Sequence, residues 1–317
     1  MEKPLRHIVS VDDIPPEDLL TIFRRADHFK AEGIWEPPVK KRRLKLLNLF
    51  YQPSTRTRLS FASAAFDLGW NVMDTEDAEK FSSAIKGESL GDTVRVVSGY
   101  CDVITLRHHK TGSAAEAALV SRVPIINAGD GHGEHPTQAF LDLFTIRERH
   151  PEHHHRLTVT FVGDLKRGRT VHSLARLLVR FQSNELGLAR RLQFVAPNGY
   201  ELPQEILDGI KGRGVEISIH DELSPKVLRG SNVVYMTRPQ FQSHESIESG
   251  RALARTYTLT PALVEHLPEN ATILHPLPRT DELPESLDND GRAYYFQQAW
   301  NGVPLRSALL QWVAGII

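Results

Sequence analysis

The stretch from Lys45 to Leu68, KLLNLFYQPSTRTRLSFASAAFDL, constrains the fold more than any other part of the chain. Leu46, Leu47, Leu49, Phe50 and Tyr51 form an apolar run of strand length, and a strand that is apolar on both faces belongs in a parallel sheet covered by helices. Pro53 ends the run. Leu59, Phe61, Ala62, Ala65, Phe66 and Leu68 then recur near helical spacing, which predicts a helix beginning between Ser54 and Thr57. The hydroxyls of Ser54, Thr55 and Thr57 and the guanidinium groups of Arg56 and Arg58 therefore gather where the first helical N–H groups have no intrahelical partner. A helix start carries about half a positive charge, and such donors suit a phosphate. An ordinary Ser/Thr cap beside surface arginines uses the same residue types; five of them in succession after a buried strand favour the anion.

The alternation continues along the chain. Helices are expected at Ile14–Phe29, Ser89–Tyr100, Ala114–Ser121 and Pro136–Arg149, with strands at Val72–Met73, Asp102–Leu106 and Val123–Asn127 between them. A polar segment, PEHHHR at Pro151–Arg156, suggests a boundary. A second alternating set follows: strands at Leu157–Gly163, Leu192–Ala196, Val215–Ile219, Val233–Met236 and Thr272–Leu274, helices at Thr170–Phe181 and Pro203–Ile210, and a final helix at Phe296–Val313. The expected fold is α/β: two doubly wound parallel-sheet domains joined by long helices. The domain expectation is residues 1–150, completed by a C-terminal helix at 296–317, and residues 151–295.

A chain of 317 residues can bury two cores. With a net charge of -1 it has neither the net basicity nor the long basic run of a nucleic-acid or anionic-membrane binder. Lys40–Arg43, KKRR, reads as a solvated approach to the first strand. Cys101, the single cysteine, precludes an intramolecular disulfide framework and lies in an apolar segment, where it reads as a small core residue. The N-terminal MEKPLRHIVSVDD lacks the apolar core of a secretion signal, so the expected location is cytoplasmic. The three histidines of PEHHHR are consecutive and so point in different directions; they read as solvated, and no metal is expected.

Ligands bind beyond the carboxyl ends of the strands in an open parallel sheet. The loops there are polar: Arg107-His108-His109; AGDGHGEHPTQ with His135, Thr137 and Gln138; GDLKRGRT with Arg169; Thr237-Arg238-Pro239-Gln240; and His275-Pro276-Leu277-Pro278-Arg279. Gly163–Thr170 has the spacing of a phosphate loop, but Arg169 stands where that fingerprint needs lysine. Arg169 as a clamp on a carboxylate accounts for the same residues, since a guanidinium offers parallel donors.

Taken together, PSTRTR (53–58), KGESLGDT (86–93), HPTQAFLDL (135–143), VGDLKRGRTVHSLA (162–175) and ILHPLPR (273–279) resemble the aspartate/ornithine carbamoyltransferase family over nearly the whole length. STRTR and HPTQ are shared across that family and imply carbamoyl phosphate as donor. HPLPR and GDLKRGRTVHSLA are similar to its aspartate branch; the ornithine branch carries a cysteine in the HPLP position. The implied activity is transfer of the carbamoyl group to L-aspartate, an early step of pyrimidine biosynthesis, with no cofactor and with the active site between the two domains. By the same resemblance Ser54, Thr55, Arg56 and Thr57 hold the phosphate, and Thr57, Arg107 and His135 face the carbamoyl oxygen. Gln138 binds the carbamoyl NH2. Arg169, Arg238 and Gln240 bind the carboxylates of aspartate, with the Leu277 carbonyl near the amine and Pro278 fixing its loop. Ser82 and Lys86 reach a neighbour's site, which implies a homotrimer with shared active sites and allows a larger assembly with regulatory or pathway-enzyme chains. The residues differ from the family pattern at Ala62, Ile85, Pro239–Gln242 and Trp300, positions that touch loop closure and acceptor fit. Rival readings are a carbamoyltransferase for another amino acid such as ornithine, and a silent scaffold paralogue; intact Arg56, His135, Arg169 and Arg238 argue against the second.

Overall fold

The structure, a computed structural model, describes residues 4–34, 43–78, 87–152, 156–181, 186–239 and 247–317. The chain divides into two compact units, residues 1–141 with 301–317, and residues 142–300.

In the first unit α1 (Pro16–Glu32) opens with proline at a position whose N–H would be unpaired in any helix, and buries Leu19, Ile22, Phe23, Ala26 and Phe29 along one face. After it come β1 (Lys45–Phe50), α2 (Thr55–Asp67), β2 (Asn71–Thr75), α3 (Leu90–Val97), β3 (Val103–His108), α4 (Ser113–Val120) and β4 (Ile125–Asp130). All four strands are parallel in the order β2-β1-β3-β4. Every residue of β1 after Lys45 is buried, as its unbroken apolar run predicts. α3 is capped by Ser89, whose hydroxyl accepts the Asp92 N–H at 3.1 Å. The helix α5 (Pro136–Arg149) begins in this unit, and the division between units falls within it.

The second unit holds β5 (Leu157–Val162), α6 (Arg169–Arg180), β6 (Ala189–Val195), α7 (Gln204–Ile210), β7 (Glu216–His220), α8 (Pro225–Leu228), β8 (Val233–Met236), α9 (Ile247–Thr256), α10 (Pro261–Val264) and β9 (Thr272–Leu274). A 3-10 turn at Glu285–Leu287 and α11 (Tyr295–Trp300) complete it. Its strands are parallel in the order β7-β6-β5-β8-β9. The final helix, α12 (Gly302–Val313), belongs to the first unit, where it is buried along its length and packs against α1 and α2. Arg6 ties it down by donating to the carbonyls of Trp312 and Ile317 at 2.9 and 2.7 Å and lying over the Trp312 ring.

Three expectations are corrected. Arg107 and His108 lie inside β3, not in a loop beyond it, because the strand runs on to pair with β1 and β4. Leu59 and Phe66, expected in the core, are 51% and 64% exposed; the buried stripe of α2 is Thr57, Phe61, Ala62, Ala64 and Ala65. The C-terminal segment is two helices that part at Asn301, not one. α8, α9 and α10 are additional to the expected elements; α8 and α10, four residues each, carry too few periodic positions to be seen in the sequence.

The two central strands of the second unit meet closely. Thr237, just after β8, donates both its N–H and its hydroxyl to the Val162 carbonyl at 2.9 Å. Gly163 has a φ of 124°, and a Cβ there would stand 2.4 Å from Thr237 Oγ1 and 2.6 Å from its carbonyl oxygen. Gly163→Ala should therefore lose at least about 2 kcal/mol in urea unfolding. Gly199→Ala, at φ 88° with open space around the added methyl, should lose only about 1 kcal/mol.

Candidate active site

Both sheets have a point where the chain, having moved outward on one side, crosses to the other. In the first unit it lies between β1 and β3, and in the second between β5 and β8. Such points open a crevice at the carboxyl ends of the strands, and the expected site residues lie along those two edges.

In the first unit β1 delivers the start of α2. Ser54 is the N-cap in extended conformation, yet its hydroxyl makes no capping bond, and the first turn holds no acidic residue. The helix dipole and the leading N–H groups therefore meet no carboxylate from within this turn. Thr55 and Arg56 are exposed and Thr57 is buried. Arg58 is drawn away from this group: its guanidinium is held by Asp74 at 2.6 Å and Glu76 at 2.9 Å, so it serves the fold and not an anion.

Arg107 is paired in register with Phe50 at the end of β1, and its carbonyl accepts the Tyr51 N–H at 2.8 Å. Its guanidinium donates to the Ala128 carbonyl of β4 at 3.1 Å. Strand pairing alone thus sets an arginine beside the strand end that leads into α2. The loop after β4 is built on the Asp130 carboxylate, which accepts the Glu134 N–H at 3.0 Å and the Gly112 N–H at 2.9 Å. It leads into α5, whose first turn closes on the His135 carbonyl through the N–H groups of Gln138 and Ala139. His135 and Gln138 are both buried, and the Thr137 hydroxyl lies 3.5 Å from His135 Nδ1. Ser54, Thr55, Arg56, Thr57, Arg107, His135 and Gln138 consequently share one edge of one sheet.

In the second unit three adjacent strands, β5, β8 and β9, supply the remaining groups. Arg169 is the first residue of α6, after Gly168. A cation at a helix start opposes the helix dipole, a placement that suits a bound carboxylate. Asp164 before it is buried and accepts the Arg167 N–H at 3.1 Å. Arg238 is exposed just beyond Thr237. Ser82, Ile85, Lys86 and Gln240 through Gln242 lie outside the described residues, as do Lys40–Arg42 of KKRR and His153–His155 of PEHHHR. Among the described residues no group of three or more potential ligands could hold a metal.

The loop after β9 is the most closely determined part. His275 is buried, and its Nδ1 accepts the Leu277 N–H at 2.7 Å. That nitrogen is therefore unprotonated, and the proton sits on Nε2, which donates to buried Glu282 at 2.9 Å. Leu277 adopts a φ of 53°, rare for a non-glycine residue, and the Leu277–Pro278 peptide is cis. The arginine that ends this motif is committed elsewhere. Arg279 is paired with Asp288 and lies over the rings of Tyr295 and Phe296. Trp300 is 68% exposed, whereas Gln298, two residues earlier, turns inward. Cys101 is buried, and burial first, with Asp102 nearby, pushes its thiol up to about 12, which leaves no reactive thiolate at neutral pH.

Residues 6–148 match the family described as aspartate/ornithine carbamoyltransferase, carbamoyl-P binding domain, and residues 155–313 match aspartate/ornithine carbamoyltransferase, Asp/Orn binding domain. The aspartate carbamoyltransferase catalytic subunit of Methanospirillum hungatei is 41% identical over 306 residues, covering 96% of this chain and 98% of that one. The catalytic subunit of M. jannaschii aspartate transcarbamoylase superposes with a TM-score of 0.87 at 37% identity, over 98% of this chain and 99% of that one. Aspartate transcarbamoylase from Trypanosoma cruzi, in complex with N-(phosphonacetyl)-L-aspartic acid, superposes at 0.86 with 35% identity, over 96% and 94%.

The His275–Glu282 pair gives a pH dependence. Burial pushes the Glu282 carboxyl up, but hydrogen bonds from His275 and Thr280 outweigh it and hold the group below its ordinary 4.5. A carboxylate lowered in the folded state adds stability above its unfolded value, and that stability is lost as pH falls through the folded one. Glu282→Gln should lower the melting temperature at pH 7, and the gap to the unsubstituted protein should close as the pH is taken below about 4; thermal denaturation across that range reads it.

Proposed function

This chain belongs to the aspartate/ornithine carbamoyltransferase family, and we propose that it transfers the carbamoyl group of carbamoyl phosphate to the amine of L-aspartate, giving N-carbamoyl-L-aspartate and phosphate. The observation that carries the reading is the start of α2: an uncapped helix end with no acid in its first turn and with Ser54, Thr55, Arg56 and Thr57 in succession. That is a phosphate site by its charge and its donors.

The residue chemistry then divides the work. Ser54, Thr55, Arg56 and Thr57 hold the phosphate, and Arg56 offsets charge gained by the leaving group. Thr57, Arg107 and His135 face the carbamoyl oxygen, where negative charge grows as the uncharged amine adds to the carbonyl carbon. Gln138 takes the carbamoyl NH2. A nitrogen–carbon bond forms, the bond from carbon to the phosphate oxygen breaks, and the departing phosphate takes the amine proton. Arg169, Arg238 and Gln240 bind the acceptor carboxylates, with the Leu277 carbonyl near the amine and Pro278 fixing its loop. Residues 1–150 with 296–317 form the donor domain and 151–295 the acceptor domain. The product belongs to an early step of pyrimidine biosynthesis.

The further reading is a cytoplasmic homotrimer in which Ser82 and Lys86 act in a neighbouring subunit's site, with room for regulatory or pathway-enzyme chains. The family resemblance supports it, as does the single cysteine. Among the described residues no helix is long and apolar enough to cross a membrane.

The purified chain should form ureido product from carbamoyl phosphate with aspartate and at least about a hundredfold less with ornithine. No turnover with either amine would return the chain to a binding role. Arg56→Ala and His135→Ala should each lose about a hundredfold or more in kcat, read by phosphate release; near-normal rates in either would remove it from the machinery. Light scattering should give three times 35.7 kDa. Mixing inactive Arg56→Ala and Lys86→Ala chains should recover activity, because one site in a mixed trimer then has both residues.

A further inference from the structure

Asp142 lies on α5, one helical turn beyond Gln138, and is fully buried. Its two oxygens take different donors. Oδ2 accepts the Tyr235 hydroxyl at 2.7 Å, and Oδ1 accepts Gln298 Nε2 at 2.6 Å. An amide side chain has one donor end and one acceptor end, so a carboxylate on one side settles which way it faces. With its NH2 end turned to Asp142, buried Gln298 presents Oε1 to the backbone and accepts the His275 N–H at 2.9 Å. The His275 ring in turn accepts the Leu277 N–H at 2.7 Å. Tyr235, at the end of β8 that leads to Arg238, joins that strand to the same carboxylate. Burial, then the Asp142 charge, raises the Tyr235 hydroxyl well above its ordinary value, which keeps it a donor.

We propose that Asp142 and Gln298 are positioning residues of the acceptor loop: the Asp142 carboxylate fixes the direction of the Gln298 amide, and that direction holds His275–Pro278 in the conformation that presents the Leu277 carbonyl. Neither residue need touch substrate. The inference rests on the reading that this loop receives the acceptor amine.

Asp142→Asn keeps the volume and exchanges one acceptor for a donor. If the remaining oxygen stays on the Tyr235 hydroxyl, the new NH2 confronts that of Gln298; the amide must turn, and it then offers a donor to the His275 N–H. The KM for aspartate should rise about tenfold or more, while the KM for carbamoyl phosphate stays within about twofold. Adding Gln298→Glu to Asp142→Asn restores all three bonds, because the new carboxylate at 298 accepts from both the new amide at 142 and the His275 N–H. The aspartate KM should return to within about threefold of the starting value.

A structural role alone predicts a lower melting temperature with both KM values unchanged, and that result overturns the proposal, as does a double variant no better than the single. If Asp142→Asn does not fold, Gln298→Met, which removes the acceptor for His275 together with the donor to Asp142, must raise the aspartate KM by itself; no change there also overturns it. Loss of the unsubstituted protein's activity with aspartate would instead overturn the functional reading, so the two failures are separable.

Discussion

The free N–H groups at a helix start are the constraint on which the donor half of the molecule depends. A helix cannot pair its first donors internally, and a parallel strand must be followed by a crossover, so β1 necessarily hands the chain to such an end. α2 is one of several helices whose start lacks local compensation, α6 among them; what sets α2 apart is the run of Ser54, Thr55, Arg56 and Thr57. Ser54 makes no capping bond and no acid occupies the first turn, whereas α3, with no such role, is capped by Ser89 and carries Asp92 in its first turn. The same chain thus contains a helix start that is closed and one left open to an outside anion.

Charge is handled locally, which reconciles a net charge of -1 with a reading that needs cations. Arg58 and Arg279, close in sequence to the proposed site residues, are each engaged by acids: Arg58 by Asp74 and Glu76, Arg279 by Asp288. Arg107 is anchored through the Ala128 carbonyl. Which arginines are engaged by acids is therefore a matter of strand register and loop packing.

That distinction explains what the sequence made legible. Strand-length apolar runs, helical spacing and the polar loops between them contain the parallel sheets, because each signal is local. The positions of Arg56, His135 and Arg169 relative to their helices were readable for the same reason. The engagement of Arg58 was not, since Asp74 and Glu76 are reached only once β2 lies beside β1. The burial of Ala64 in place of Leu59 and Phe66 likewise depends on where α12 packs against α2. Nor is the place of Arg107 inside β3 legible, because the end of β3 is set by pairing with its neighbours and not by composition.

The acceptor loop marks the far limit of local reading. HPLPR announces a rigid turn through its prolines, but the groups that hold it are remote: Gln298 reaches His275 from α11, and Asp142 reaches Gln298 across 156 residues of chain. Leu277 at a φ of 53° is costly alone, about 1–3 kcal/mol, and persists because its N–H is taken by a ring whose other nitrogen is held by Glu282. A hydrogen-bonded series of this kind has a direction. Each group is donor or acceptor because of the next, and an ionised carboxylate is the natural terminus because it can only accept. Two such ends, Asp142 and Glu282, fix the series from opposite sides of His275, so the loop's conformation follows from groups that a scan for substrate-binding residues passes over.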